Sequence, residues 1–96
     1  MSKAKLSRKP RLARKARLRE DKVRGAMVLL SPERGLVLNA TAAAIVERLD
    51  GETKVRDIAA AIAGPASDLG EVERDVLGFL DELAKRGLLA GYDDDA

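Results

Sequence analysis

The chain contains no cysteine, no histidine and no tryptophan, and only one Tyr and one Phe among its 96 residues. Each absence removes a class of function. Without Cys or His there are no thiolate or imidazole metal sites, no disulfides, and no Cys/His or Ser/His nucleophilic pairs. With Tyr92 and Phe79 as the only aromatics, the sequence lacks the interleaved rings on which single-stranded nucleic acid stacks. No apolar run approaches the length of a membrane span, and the basic N-terminus is not followed by the apolar core of a signal peptide. These exclusions predict a soluble, cytoplasmic protein with no cofactor of its own, so any chemistry nearby belongs to another protein.

What is present suffices for one small domain. Hydrophobic residues make up 46% of the chain, and Leu, Val, Ile and Ala must do the packing. The net charge of +2 conceals an asymmetry. Residues 1–24 hold eleven Lys or Arg against two acids, a net +9, whereas the remainder holds seven against fourteen, a net −7. A basic arm on an acidic body has two readings, attachment to an acidic partner or nucleic acid, and a solvated tail. The second is preferred: residues 1–16 show little periodicity and are expected to be disordered.

The ordered domain is expected over residues 17–91, followed by an acidic tail at 92–96. Arg17-Leu18-Arg19-Glu20 alternates and reads as a first strand, with Asp21-Lys22 as a turn. Residues 23–30 read as a second strand and 36–38 as a third. The turn Ser31-Pro32-Glu33-Arg34-Gly35 joins them, its proline presetting φ and Gly35 closing the loop in a left-handed conformation. The opening half is therefore a three-stranded antiparallel meander, with Leu36 and Leu38 on one face and Val37 on the other. The third strand is the last before the chain turns helical, so it lies at a sheet edge with unpaired backbone groups.

Three helices follow. Asn39 caps the first, whose apolar stripe is Ala42, Ile45, Val46 and Leu49, ending at Asp50-Gly51. Thr53 is the expected cap of the second, with Val55, Ile58, Ala59 and Ile62 on its stripe and Gly64-Pro65 as its stop. Asp68 and Glu71 form a capping box for the third, whose apolar positions are Leu69, Val72, Val76, Phe79, Leu80 and Leu83, with Gly87 as C-terminal cap. That stripe is wider than one contact needs, and part of it is assigned to a groove.

This order gives an α+β fold resembling a winged helix-turn-helix, a plan that hosts both DNA and peptide binding. DNA binding requires a helix that offers donors to a groove, yet the third helix carries Glu71, Glu73, Asp75, Asp81 and Glu82 against Arg74, Lys85 and Arg86. Only the arm remains for nucleic acid, which ranks as the alternative function. Peptide binding requires an open strand edge beside an apolar groove, and both are predicted. A homodimer through the same edge is a third possibility.

Val28-Leu29-Leu30-Ser31-Pro32-Glu33-Arg34, then Leu38-Asn39, Ile45, Asp50-Gly51 and residues 55–58, and later Glu73 through Leu83 and Arg86-Gly87-Leu88-Leu89, resemble the family of protein D of pyrroloquinoline quinone biosynthesis. The resemblance covers roughly residues 17–90. It implies a recognition domain, without activity of its own, that holds the leader of a ribosomally made precursor peptide. It further implies presentation of that peptide to a radical S-adenosylmethionine enzyme, which links a Glu to a Tyr within it. The leader would add as a strand beside the third strand, over a groove shared with the third helix. Carried onto this sequence, the peptide-binding residues are Arg34, Leu36, Val37, Leu38, Val76, Phe79, Leu80 and Leu83. The basic arm before Arg17 matches nothing in that pattern.

Overall fold

Local signals build most of the architecture, and a computed structural model describes them over residues 3–31 and 34–92. Three strands, β2 (Arg17–Asp21), β3 (Ala26–Ser31) and β4 (Arg34–Leu38), form an antiparallel sheet in the order β2-β3-β4. Between β2 and β3 the Asp21 carboxylate accepts the backbone N–H groups of Val23 and Arg24, and Gly25 takes φ +68° to bring the chain back. Val23, expected to open the second strand, therefore sits in the turn with its side chain 98% exposed.

Gly35 departs from expectation as well. It is paired with Leu30 inside β4 and has no positive φ, so the strand begins at Arg34 and Gly35 does not close the loop. The turn positions Pro32 and Glu33 lie outside the described residues.

Three helices follow: α1 (Ala40–Val46), α2 (Val55–Ile62) and α3 (Leu69–Lys85). The Asn39 side chain accepts the N–H of Ala42 at 2.8 Å, and Asp68 accepts those of Gly70 and Glu71, so both predicted caps form. At the far end of α3, Gly87 at φ +72° allows a Schellman closure. Gly87 N–H donates to the Ala84 carbonyl and Leu88 N–H to that of Leu83, which turns Leu88 into the core.

Thr53 does not cap α2. Its N–H and hydroxyl both donate to Asp50, whose carboxylate also accepts Glu52 N–H. These bonds hold the Asp50 carboxyl below the usual carboxylate range, the Glu52 amide contributing most. The first amide of α2, at Val55, instead donates to the carbonyl of Arg8 at 3.0 Å.

That bond exposes the main correction to the fold. The segment expected to be disordered is ordered from Lys3: a 3₁₀ turn (Lys3–Ser7) leads to β1 (Arg11–Leu12), which pairs with β5 (Leu89–Ala90). Gly51 N–H donates to the Pro10 carbonyl, and Ala13 N–H to that of Leu88. Pro10 and Ala16 are buried while Leu6 and Leu12 pack on the core, so an apolar minority hidden among the cations anchors the segment. The same lesson applies at the other end. Tyr92, assigned to the fraying tail, is 1% exposed, and its hydroxyl donates to Asp81. The Lys5 ammonium lies 3.3 Å from that carboxylate and 4.7 Å from the Tyr92 ring centroid.

The core lies between the inner face of the sheet and the three helices. Leu29 and Leu38 meet Ile45 and Val46 of α1, Val55 and Ile58 of α2, and Leu80 and Leu83 of α3. Among the described residues, no helix is long and apolar enough to cross a membrane.

Candidate peptide-binding cleft

The alternation of β4 sets the first wall of the site. Leu36 and Leu38 turn inward, whereas Val37 points outward at 52% exposure. On its far side β4 has no neighbour among the described residues, so alternate backbone N–H and C=O groups are left without a sheet partner.

Two cavities lie near the ends of β4. The first, about 470 Å³, is lined by Leu29, Ser31, Arg34, Gly35 and Leu36 of the sheet, and by Arg86 and Leu88 beyond the end of α3. The second, about 270 Å³, is lined by Asn39 and Thr41 just past β4, by Ala42, Ile45 and Ile62, and by Val72, Asp75, Val76 and Phe79 of α3. The start of β4 thus faces the end of α3, and the end of β4 faces the helix's first half. One depression therefore lies at each end of β4, the first shared with the end of α3 and the second with the stretch Val72 to Phe79.

The eight residues assigned to peptide binding divide on this geometry. Arg34 and Leu36 line the first cavity, Val76 and Phe79 the second, and Val37 lies on the exposed edge. Leu38 is buried under the sheet. Leu80 and Leu83 are 0% exposed and offer no surface to a ligand in the free protein: they are core residues. A helix advances 100° per residue, so an apolar stripe spanning Val76, Phe79, Leu80 and Leu83 is split by rotation between cleft and core. Sequence reasoning did not place Arg86, Leu88 or Asn39 at the cleft: Arg86 was counted among the charges of the third helix, Leu88 with the core, and Asn39 as a cap. The signal for Arg86 was its place beside a left-handed glycine, which ends the helix and leaves the preceding side chain at the helix's rim.

The electrostatics of the cleft are uneven. Arg34 and Arg86 make no ion pair among the described residues, whereas Glu71 and Asp75 are exposed toward the start of α3. The described residues hold no cluster of acids suited to a metal ion.

The family model described as coenzyme PQQ synthesis protein D (PqqD) matches residues 26–89, the span from β3 to β5 that encloses the cleft. The chain belongs to the PqqD family. Among its relatives, the PqqA binding protein of Rhizobium meliloti (strain 1021) is 45% identical over 80 residues, covering 82% of each chain. The bifunctional coenzyme PQQ synthesis protein C/D of Methylorubrum extorquens is 42% identical over 83% of this chain but only 22% of its own length, so there the PqqD-like part is joined to a larger protein.

Solved structures agree on the fold. The PqqD truncation of Methylobacterium extorquens PqqCD, described as a stand-alone RiPP recognition element, superposes with a TM-score of 0.71 at 39% identity, covering 84% of this chain and 87% of that one. TbiB1, solved in complex with the TbiA(beta) leader peptide, gives 0.73 at 29% identity over 88% of this chain and 99% of that one. The α+β fold expected from the sequence, a three-stranded antiparallel sheet with three helices, is the fold that these proteins share.

Proposed function

We propose that this chain is a non-catalytic recognition domain that binds the leader of the pyrroloquinoline quinone precursor peptide, PqqA, by strand addition to β4, and presents it to a radical S-adenosylmethionine enzyme. The observation that carries the reading is the unpaired edge of β4 beside an open cleft, in a family whose relatives are named for binding PqqA. Main-chain bonds to the edge supply affinity, and the side chains admitted at the two ends of the cleft supply specificity.

Two residues connect β3 to β4, and such a connection closes on a hydrogen-bonded pair. Counting from Ser31 and Arg34, the bonded pairs are then Leu29 with Leu36 and Met27 with Leu38, leaving the backbone of Gly35 and Val37 directed at the free edge. The peptide-contacting set becomes Arg34, Leu36, Val37, Val76 and Phe79, joined by Asn39, Val72 and Arg86. Leu38, Leu80 and Leu83 support it from beneath.

The nucleic-acid alternative rests on the N-terminal cations alone. Among them Lys9, Arg11, Arg14, Lys15, Arg17 and Arg19 stay exposed after the segment folds back. The test is a calorimetric titration of the chain with a synthetic PqqA leader and, separately, with a random DNA duplex at physiological salt. Saturable one-to-one peptide binding with no DNA signal is expected. DNA binding without peptide binding overturns the proposal and moves the function to the basic segment.

A further inference from the structure

We infer that Arg34 and Arg86 form an acid-reading subsite at one end of the cleft, which accepts an Asp or Glu side chain of the bound strand. The inference rests on the strand-addition reading above and deepens it from the class of ligand to one of its side chains. Both residues line the same 470 Å³ cavity, Arg34 as the first residue of β4 and Arg86 as the residue that ends α3. Both are exposed and neither has an acidic partner among the described residues, although the body of the protein is acidic. Two other cations near α3 are engaged: Lys85 pairs with Glu82, and Lys5 with Asp81.

Two unmatched guanidiniums around one hollow repel each other and attract an anion. The ammonium of Lys15 lies close to Gly87, beside Arg86, and adds positive charge of the same sign. The helix dipole acts against this, with about half an elementary negative charge at the C-terminus of α3, but it is outweighed by two full charges. The Schellman bonds also satisfy the Leu83 and Ala84 carbonyls there.

A carboxylate suits the site because the guanidinium fork presents two parallel donors at the spacing of carboxylate oxygens. A strand laid along β4 covers the cavity and excludes water from the pair, which strengthens it beyond an ordinary surface ion pair. At the other end of the cleft the cavity is lined mainly by apolar side chains with Asp75 among them, so the same carboxylate is disfavoured there. The two ends therefore distinguish one direction and register of the bound strand from the other.

The experiment titrates the full chain with PqqA leader peptides in which each Asp or Glu is changed in turn to Asn or Gln, and repeats the series with the Arg86→Gln and Arg34→Gln variants. One amide peptide is expected to bind the wild-type chain roughly ten-fold more weakly than the parent leader. Arg86→Gln should bind the parent leader with a similar loss and no longer discriminate between the two peptides, with its thermal midpoint unchanged. Equal binding of all single-amide peptides to the wild type overturns the subsite, as does a loss that is the same in wild type and both variants. If the parent leader does not bind the wild-type chain, the strand-addition reading fails, and the subsite with it.

Discussion

Phe79 and Leu80 are neighbours in sequence, yet their replacement by alanine should separate binding from stability. Leu80 is fully buried between α3 and the rest of the core. Truncating such a leucine removes its transfer free energy and leaves a cavity, at a cost of about 2–5 kcal/mol. A chain of 96 residues is stable by about 5–14 kcal/mol in total, so Leu80→Ala consumes a large share. At roughly 4–8 °C per kcal/mol for a domain of this size, a mid-range loss of about 3.5 kcal/mol lowers the thermal midpoint by some 14–28 °C.

Phe79 is only half-buried and lines the apolar cavity, so its truncation should cost about 1–2 kcal/mol of stability. Its larger effect is on peptide affinity, which should fall about ten-fold or more if a leader side chain packs against the ring. The assay is a thermal melt followed by circular dichroism for both variants, with calorimetric titration of the leader at a temperature where each remains folded. The reasoning fails if Leu80→Ala melts within a few degrees of wild type and loses only peptide binding, because Leu80 would then face the cleft. It also fails if Phe79→Ala binds the leader unchanged, because the apolar cavity would then lie off the peptide's path.

Three further outcomes follow from the same geometry. Val37→Pro removes an edge amide without touching the β3 ladder, so the melting midpoint should stay within a few degrees while leader affinity falls about two- to ten-fold; unfolding would place that amide in the ladder instead. Tyr92→Phe deletes a hydroxyl that lies 2.5 Å from Asp81 and 3.3 Å from the Leu77 carbonyl, and chemical denaturation should register a loss of about 1–2 kcal/mol. No loss would mean that the C-terminal Tyr92 contact is structurally idle. Asp50 has a depressed folded-state pKa, so its contribution is fully present above the ordinary carboxylate value and is lost as pH falls through the lower folded value. The midpoint gap between wild type and Asp50→Asn should therefore hold constant at neutral and mildly acidic pH and close only in stronger acid; a gap already closed near neutrality would show that the Glu52 and Thr53 amides are not what it depends on.

The acidic body and the apolar edge were both legible in the sequence. The way the basic segment is used was not. Leu6, Pro10, Leu12 and Ala16 are too sparsely placed among Lys and Arg to show a helical or strand period, and the segment is tied down by distant residues, with the Pro10 carbonyl bonded to Gly51 and Leu12 paired with Leu89 through a two-residue strand. The misassigned cap at Thr53 has the same origin. A carbonyl from Arg8, far off in the chain, satisfies the α2 amide that local reasoning gave to the nearest hydroxyl.

What the sequence by itself determined has its cause within a few residues: the period-two strands, the Asn39 and Asp68 caps, the Gly87 stop and the position of β4 as the last strand before α1. Hydrogen bonds and steric limits over one turn of chain are enough to decide those. Only the tertiary structure decided which side of α3 faces the cleft, that Leu80 is core while Phe79 is wall, and that Arg34 and Arg86 meet at one cavity. A wide apolar stripe is compatible with a range of helix rotations, and the rotation adopted is the one that best fills the space left by the sheet and the other two helices.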